Sequence, residues 1–237
     1  MTTEPSGEAA PLPVGPSARL PAWVPWVAPF AVYMVLHGLL PQDVLPPVIN
    51  QLIRIVVVGA VLLLVSRPIL DFRVRFPVQT ILVGVAIFAL WIGPDLLWPG
   101  YRDSFLFSNG VVGRPESSFP AEAREGPIAL GLRAARAALL IPIVEELFWR
   151  GWLPRWAINP NFAKVPLGTF TPFIFVVTAV LFASEHGSWW DVGLLAGLAY
   201  NWWMLRTKSL GDCILAHAVT NGCLAAYVIS QGRWEYW

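Results

Sequence analysis

The chain has 237 residues, of which 56% are hydrophobic and only 13% are charged, and its formal net charge is +1. Soluble domains carry about 25% charged residues, so this composition, with its apolar residues in long blocks, excludes an ordinary soluble domain and indicates a polytopic membrane protein. The near-neutral charge excludes a nucleic-acid-binding protein that depends on bulk electrostatic attraction, and no nucleic-acid partner is expected.

The N-terminal stretch, residues 1–21, is rich in Pro, Ala and Gly and carries two glutamates. It lacks the basic start and the apolar core of a cleaved signal peptide. We interpret it as a disordered tail that precedes a single membrane domain, residues 22–237.

Seven apolar segments are long enough to cross a bilayer. Residues 22–98 hold three of them, residues 99–127 form a polar extramembrane loop, and residues 128–230 hold the remaining four as core helices. The predicted fold class is therefore all-α, a polytopic membrane bundle of about seven transmembrane helices, with six to eight compatible with the pattern. The segments are Ala22–Leu40, Ile49–Ser66, Val78–Trp98, Ile128–Trp152, Pro172–Trp190, Val192–Leu205 and Leu210–Ser230.

The distribution of Lys and Arg between the short loops predicts the orientation, because cytoplasmic loops carry an excess of these residues. With the N-terminus inside, the cytoplasmic segments hold twice as many basic residues as the outer ones. The inner set is Arg19, Arg67, Arg73, Arg75, Arg155, Lys164, Arg206 and Lys208, and the outer set is Arg102, Arg114, Arg124 and Arg233. We therefore expect a cytoplasmic N-terminus, and a bacterial inner membrane as the location.

Two adjacent glutamates lie in the fourth segment, within the stretch EELFWR. A charged residue at the centre of a bilayer costs about 3 kcal/mol on insertion scales, so such residues are candidates for function. Glu146 and Arg150 are spaced i and i+4 and are expected to form an ion pair. Glu145 is turned by about 100° from Glu146 along a helix, so it is expected to stay free for acid–base chemistry. A purely structural ion cluster would also fit this spacing.

Polar side chains in the fifth and seventh segments are expected at the same depth. His186 ends the stretch FASEH, with Phe182 one turn earlier on the same face, and His217 begins HAVTN, with Asn221 at i+4. Either histidine alone would more often be a packed core residue. Together with the glutamates, they predict a polar site shared by three helices. Arg133 and Arg136 are expected to flank the start of the fourth helix.

The ordered set EELFWR, FASEH and HAVTN resembles the three signature motifs of the CAAX prenyl protease and bacteriocin-processing family, also called CPBP or Abi. The pattern of that family is Glu-Glu-x-x-x-Arg, Phe-x-x-x-His and His-x-x-x-Asn/Asp on successive core helices. The resemblance covers roughly the last 110 residues. It implies a glutamic-type intramembrane endopeptidase that cleaves near the C-terminus or anchor of a membrane-associated protein or peptide in the lipid bilayer.

The resemblance also implies the roles of the site residues. Glu145 would be the general base that activates water, helped by His186, while His217 and Asn221 would form the oxyanion hole. Glu146, Arg150 and Phe182 would support them. The resemblance implies no cofactor, although a zinc-dependent variant stays open because Glu, His, His and Asn could ligate the metal. Buried Glu and His side chains are also compatible with a non-catalytic scaffold or immunity-type protein and with a proton-coupled transporter.

Overall fold

The computed structural model describes residues 20–237, so the predicted N-terminal tail lies almost wholly outside the described residues. Within them the chain is helical, without a β-strand, and seven helices exceed ten residues. We number them α1 Val24–Leu39, α2 Pro47–Ile69, α3 Pro77–Leu97, α4 Pro127–Ile158, α5 Pro172–Ser184, α6 Trp190–Thr207 and α7 Leu210–Gln231.

The lengths and composition of these helices fit a membrane bundle. Four of them, α2, α3, α4 and α7, are long and apolar enough to cross a bilayer. The helices α1 and α5 are apolar but shorter, with 16 and 13 residues. The prediction of an all-α polytopic membrane bundle is confirmed.

The structure extends the fourth predicted segment and shortens the fifth. Helix α4 continues to Ile158 rather than Trp152, and α5 ends at Ser184 rather than Trp190. Gly187, with φ of +51°, turns the backbone immediately after α5, and α6 then begins at Trp190. Glycine adopts a positive φ without the steric cost that other residues incur.

Helix α4 contains two wider, π-helical turns, Arg136–Leu140 and Leu147–Trp152. A proline follows each one, Pro142 and Pro154, and proline cannot donate the backbone hydrogen bond that an α-helix requires. Single π-helical turns accommodate such interruptions without ending a helix, and they are frequent at functional sites. The two turns lie on either side of the paired glutamates.

Helix α7 occupies the middle of the bundle, where it packs against α3, α4 and α6, while α5 packs against α6. The approach of α3 to α7 is so close that a Cβ atom on Gly84 would lie 2.5 Å from the carbonyl oxygen of Ala216. The small residue at position 84 therefore allows α3 and α7 to pack closely. The main hydrophobic core includes Val144 and Leu147 of α4 and Cys213 of α7.

The loop between α3 and α4 is joined to the C-terminus of the chain. The backbone N–H of Ser118 donates to the carbonyl oxygen of Trp237 over 2.7 Å, and the ring of Phe119 meets the ring of Trp237 edge-on. The loop is further attached to the bundle by Arg102, which pairs with Asp95 of α3 and Asp191 of α6. The loop and the C-terminus together lie at one end of the bundle.

Candidate active site

A cavity of about 940 Å³, including the part open to the surroundings, lies between α1, α3, α4, the α5–α6 junction and α7. Five of the residues selected from the sequence line it: Glu145, Phe182, His186, His217 and Asn221. The helices that supply them are far apart in the chain, so the cavity forms only through tertiary packing.

Glu146 lies immediately behind the cavity wall and is completely buried. Its Oε1 accepts a hydrogen bond from Nη1 of Arg150 over 2.9 Å, as the i, i+4 spacing predicts. The same oxygen lies 2.8 Å from Nδ1 of His217, which the sequence did not indicate. The guanidinium of Arg150 also stacks over the ring of Phe182, with 4.5 Å to its centroid. One carboxylate thus joins α4 to α7 at the site.

The contact with Glu146 assigns the tautomer of His217. A carboxylate paired with an arginine is ionised and can only accept hydrogen bonds, so Nδ1 of His217 must be the donor. The other ring nitrogen, Nε2, is then directed toward Oε2 of Glu145, at 3.9 Å. His217 therefore connects the two glutamates, with Nε2 on the side of the cavity.

Glu145 is 8% exposed and faces the cavity. Within the residues that the structure describes, Oε2 of both glutamates has no hydrogen-bond partner, whereas Oε1 of Glu146 has two and Glu145 accepts none. The two adjacent acids are thus in different environments. Such a difference between neighbouring carboxylates separates their acid–base roles.

His186 lies two residues beyond the end of α5, rather than within a long fifth helix. Its Nδ1 bonds to the carbonyl oxygen of Phe182 over 2.8 Å, which leaves Nε2 as the nitrogen without a partner on the backbone. Its ring packs against Trp91 and Phe182, with centroid distances of 5.2 and 4.7 Å. No hydrogen bond or ion pair joins His186 to Glu145 in the described part of the chain.

Asn221 lies one turn after His217 on α7 and lines the same cavity. Its Nδ2 donates one hydrogen bond to the carbonyl oxygen of Ala137 over 2.9 Å. Ala137 belongs to the first π-helical turn of α4. Because an amide nitrogen carries two hydrogens, one N–H of Asn221 remains available.

Two further residues hold His217 in place, and the sequence reasoning missed both. The ring of Tyr200, from α6, stacks on the imidazole at 4.9 Å with an interplanar angle of 23°. The Tyr200 hydroxyl donates to Oγ1 of Thr220 over 2.8 Å. The i, i+3 spacing of His217 and Thr220 could have indicated a shared face, whereas the contact from α6 left no local signal.

The described residues contain no group of three His, Cys, Asp or Glu side chains arranged to hold one metal ion. Oε1 of Glu146 and Nδ1 of His217 are already committed to each other and to Arg150. Nδ2 of Asn221 donates one of its two hydrogens to the backbone of α4. Oε1 of Glu146 and Nδ1 of His217 are therefore not available as metal ligands in this arrangement.

The fold and the site together define a class of protein: a helical integral membrane protein with a partly enclosed polar cavity, in which one acid, two imidazoles and an amide converge. A family model described as "Rce1-like: Type II CAAX prenyl endopeptidase Rce1-like" matches residues 127–223. This segment begins with the first residue of α4 and includes all three motifs. No match was found among curated proteins or among solved structures.

The matched segment is similar to this family, so the resemblance to the CAAX protease or CPBP family stated from the motifs is confirmed. The match supports a CAAX protease-type intramembrane endopeptidase, and a membrane-embedded protease would act on membrane-associated substrates. The first three helices lie outside the matched segment, although α1 and α3 contribute walls to the cavity.

Proposed function

We propose that the protein hydrolyses a peptide bond near the C-terminus or anchor of a membrane-associated protein or peptide by a glutamate-activated water. Glu145 acts as the general base, since its carboxylate accepts no hydrogen bond within the described residues and faces the cavity, while Glu146 is held by Arg150 and His217. General-base catalysis by a positioned carboxylate typically contributes about 10²–10⁴-fold. His186, through the ring nitrogen that it does not use on the backbone, assists in orienting the water.

In this mechanism the tetrahedral oxygen is stabilised from α7. Asn221 offers its second amide N–H, and His217 offers Nε2–H when the imidazole is doubly protonated. The positive charge that this state requires is balanced by Glu146, whose Oε1 lies 2.8 Å from Nδ1, since Glu145 has by then accepted the proton of the water. Each such donor in a site of low dielectric typically contributes about 3–4 kcal/mol of transition-state stabilisation.

The observation that supports this proposal best is the different partnering of the two glutamates at one imidazole. If the cluster only held helices together, both carboxylates would be expected to take part in bonds between side chains, because an unsatisfied buried carboxylate destabilises a fold. Glu146 does so through Oε1, although its Oε2 has no partner, whereas Glu145 accepts no hydrogen bond within the described residues and faces the cavity.

The proposal also includes the location and the orientation of the protein. We place the protein in a bacterial inner membrane with a cytoplasmic N-terminus, on the strength of the distribution of basic residues. The cavity wall includes His37 near the end of α1, Ser118 of the loop and Tyr236 near the C-terminus. With an inside N-terminus, all three lie toward the outer surface. The substrate would then be cleaved from the extracytoplasmic side.

The test compares the membrane peptides and protein C-termini of cells that produce the wild-type protein, the Glu145→Gln variant or neither. We expect a set of C-terminally trimmed proteins that requires the wild type and disappears with Glu145→Gln. A Glu122→Gln variant, changed in an exposed glutamate of the loop, is the control and should behave like the wild type. Equal trimming by wild type and Glu145→Gln would refute the mechanism, and no difference between producing and non-producing cells would favour a scaffold.

A further inference from the structure

Two arginines, Arg133 and Arg136, lie at the end of the cavity remote from the glutamates. The sequence places them at the start of the fourth helix, where side chains of this kind usually extend to the membrane surface. In the structure both turn inward, with exposed fractions of 7% and 5%, and both line the cavity. They are therefore part of the wall that a bound substrate would touch.

Both arginines are held by neutral side chains. Nη1 of Arg133 donates to Oε1 of Gln42 over 3.1 Å, and its Nη2 donates to Oγ of Ser118 over 3.4 Å. Nε of Arg136 donates to Oε1 of Gln51 over 2.9 Å. Nε of Arg133 is buried and has no hydrogen-bond partner among the described residues.

No acidic side chain compensates these charges. Across residues 20–237, neither guanidinium forms an ion pair with an Asp or Glu. A third buried arginine, Arg54 of α2, bonds only to Oδ1 of Asn50 and to the carbonyl oxygen of Leu40. Because a buried cation is unfavourable unless it is paired, this end of the cavity is complementary to an anion.

We propose that Arg133 and Arg136 bind the free C-terminal carboxylate of the substrate chain and so determine where it is cut. This inference rests on the proposed peptidase function. The planar guanidinium matches a carboxylate with two parallel hydrogen bonds, which gives orientation as well as attraction. The rings of Phe119 and Trp237 lie over Arg133, at 5.1 and 5.0 Å from its central carbon, and fix its plane.

The spacing along α4 limits the length of the released peptide. Arg136 precedes Glu145 by nine residues, which is a rise of about 13 Å at ~1.5 Å per residue. An extended chain covers that distance with about four residues at ~3.3 Å each. A chain anchored by its carboxylate at Arg136 would therefore present a bond only a few residues from its end to Glu145.

A lipid phosphate is the other source of an anion for this site. Ser118 of the loop and the C-terminal Trp237 line this end of the cavity. The experiment must therefore separate the two.

The test measures binding, so that it does not depend on cleavage. Full-length protein carrying Glu145→Gln is placed in nanodiscs of phosphatidylcholine and titrated with a pool of N-dansylated apolar hexapeptides. One pool has free C-terminal carboxylates and the other has C-terminal amides. We expect the acid pool to bind about 10- to 100-fold more tightly, the range typical of charge-assisted bidentate hydrogen bonds. Equal affinity for the two pools would overturn the proposal.

Variants then assign the preference to the two arginines. With Arg136→Gln or Arg133→Gln, the affinities for the acid and amide pools should come within about twofold of each other. Lysine at either position keeps the charge but cannot form two parallel hydrogen bonds, so these variants should retain part of the preference. Arg73→Gln, changed in an exposed arginine, is the matched control and should keep it in full. Circular dichroism establishes that each variant is folded. A preference that survives both glutamine variants would refute the assignment.

A second arm replaces half of the phosphatidylcholine with anionic phosphatidylglycerol. If the site holds a peptide carboxylate, the affinity for the peptides with free carboxylates should change less than threefold. Loss of the preference for free carboxylates in the anionic discs would identify a lipid phosphate as the ligand and overturn the proposal. The outcome is separable from the peptidase mechanism. Acid-selective binding without any cleavage would contradict only the mechanism, and equal cleavage of acid and amide substrates would contradict only this inference.

Discussion

The ring of Tyr200 lies parallel to the imidazole of His217, with 4.9 Å between the centroids, and its hydroxyl reaches Thr220, three residues further along α7. Oγ1 of Thr220 in turn donates to the carbonyl oxygen of Gly84 on α3. The position of His217 is therefore fixed from two sides, by Glu146 through Nδ1 and by Tyr200 across the ring face.

Removing the stacked ring should lower the rate more than it lowers substrate affinity. Aromatic pairs contribute about 0.5–1.5 kcal/mol, so we expect Tyr200→Ala to reduce kcat about 2- to 10-fold with little change in KM. Tyr200→Phe keeps the stack and loses only the bond to Thr220, so its effect should be smaller. The kcat and KM of both variants can be measured on a substrate identified by the comparison of membrane peptides described under the proposed function. A larger loss for the phenylalanine variant would contradict the role of the stack.

Replacing Glu145 and replacing Glu146 should affect different properties, activity in the first case and stability in the second. Glu145→Gln should abolish cleavage while leaving the thermal unfolding temperature close to that of the wild type. Glu146→Gln should destabilise the protein, because it leaves Arg150 buried without its carboxylate, and breaking a buried pair costs about 3–5 kcal/mol. Thermal unfolding in detergent distinguishes them. As a control, the double variant Glu146→Leu/Arg150→Met should recover stability relative to Glu146→Gln, and absence of recovery would show that the pair is not the cause.

Gly193 of α6 provides the space that His186 occupies. A Cβ atom at this position would lie 3.1 Å from Cγ and 3.2 Å from Nδ1 of the imidazole. We therefore expect Gly193→Ala to displace the ring and to reduce kcat, in a folded protein. Gly131→Ala, at a helical position of α4 with open space around it, is the matched control and should keep full activity. Equal activity of the two variants would argue against a role for the position of His186.

Metal chelation tests zinc dependence directly. We expect cleavage by purified protein to be unchanged after prolonged treatment with EDTA or phenanthroline, because Glu146 and His217 are committed to each other and to Arg150. Added zinc should not restore activity to Glu145→Gln. A loss of cleavage that zinc reverses would instead require a rearranged donor set.

The proposed orientation can be measured with single cysteines in a background where Cys213 and Cys223 are replaced. Val111, 94% exposed at the tip of the long loop, should react as Val111→Cys with a membrane-impermeant maleimide added outside the cell. Arg73→Cys, in the exposed loop between α2 and α3, should react only after permeabilisation. The reverse result would place the cavity on the cytoplasmic side.

The positions of the seven helices followed from the sequence because hydrophobic length is a local property. The errors arose at prolines and glycines. The predicted end of the fourth segment at Trp152 is wrong, because a π-helical turn ahead of Pro154 allows α4 to continue to Ile158. The predicted fifth segment extends to Trp190 because its residues are largely apolar, and this pattern gives no sign of the turn at Gly187.

For the site, the bond between Glu146 and Arg150 could be predicted from spacing within one helix. The contact of His217 with Glu146 joins residues 71 positions apart. The inward turn of Arg133 and the stack of Tyr200 likewise depend on how helices pack, which periodicity in one segment does not reveal.

The bond between Glu146 and Arg150 also bears on how the protein is made. Helix α4 leaves the ribosome before α7, so its acids must enter the bilayer before His217 exists to meet them. A carboxylate neutralised by an arginine of its own helix lowers the insertion penalty of about 3 kcal/mol per charged residue. The site is complete only once synthesis reaches α7, which supplies His217 and Asn221.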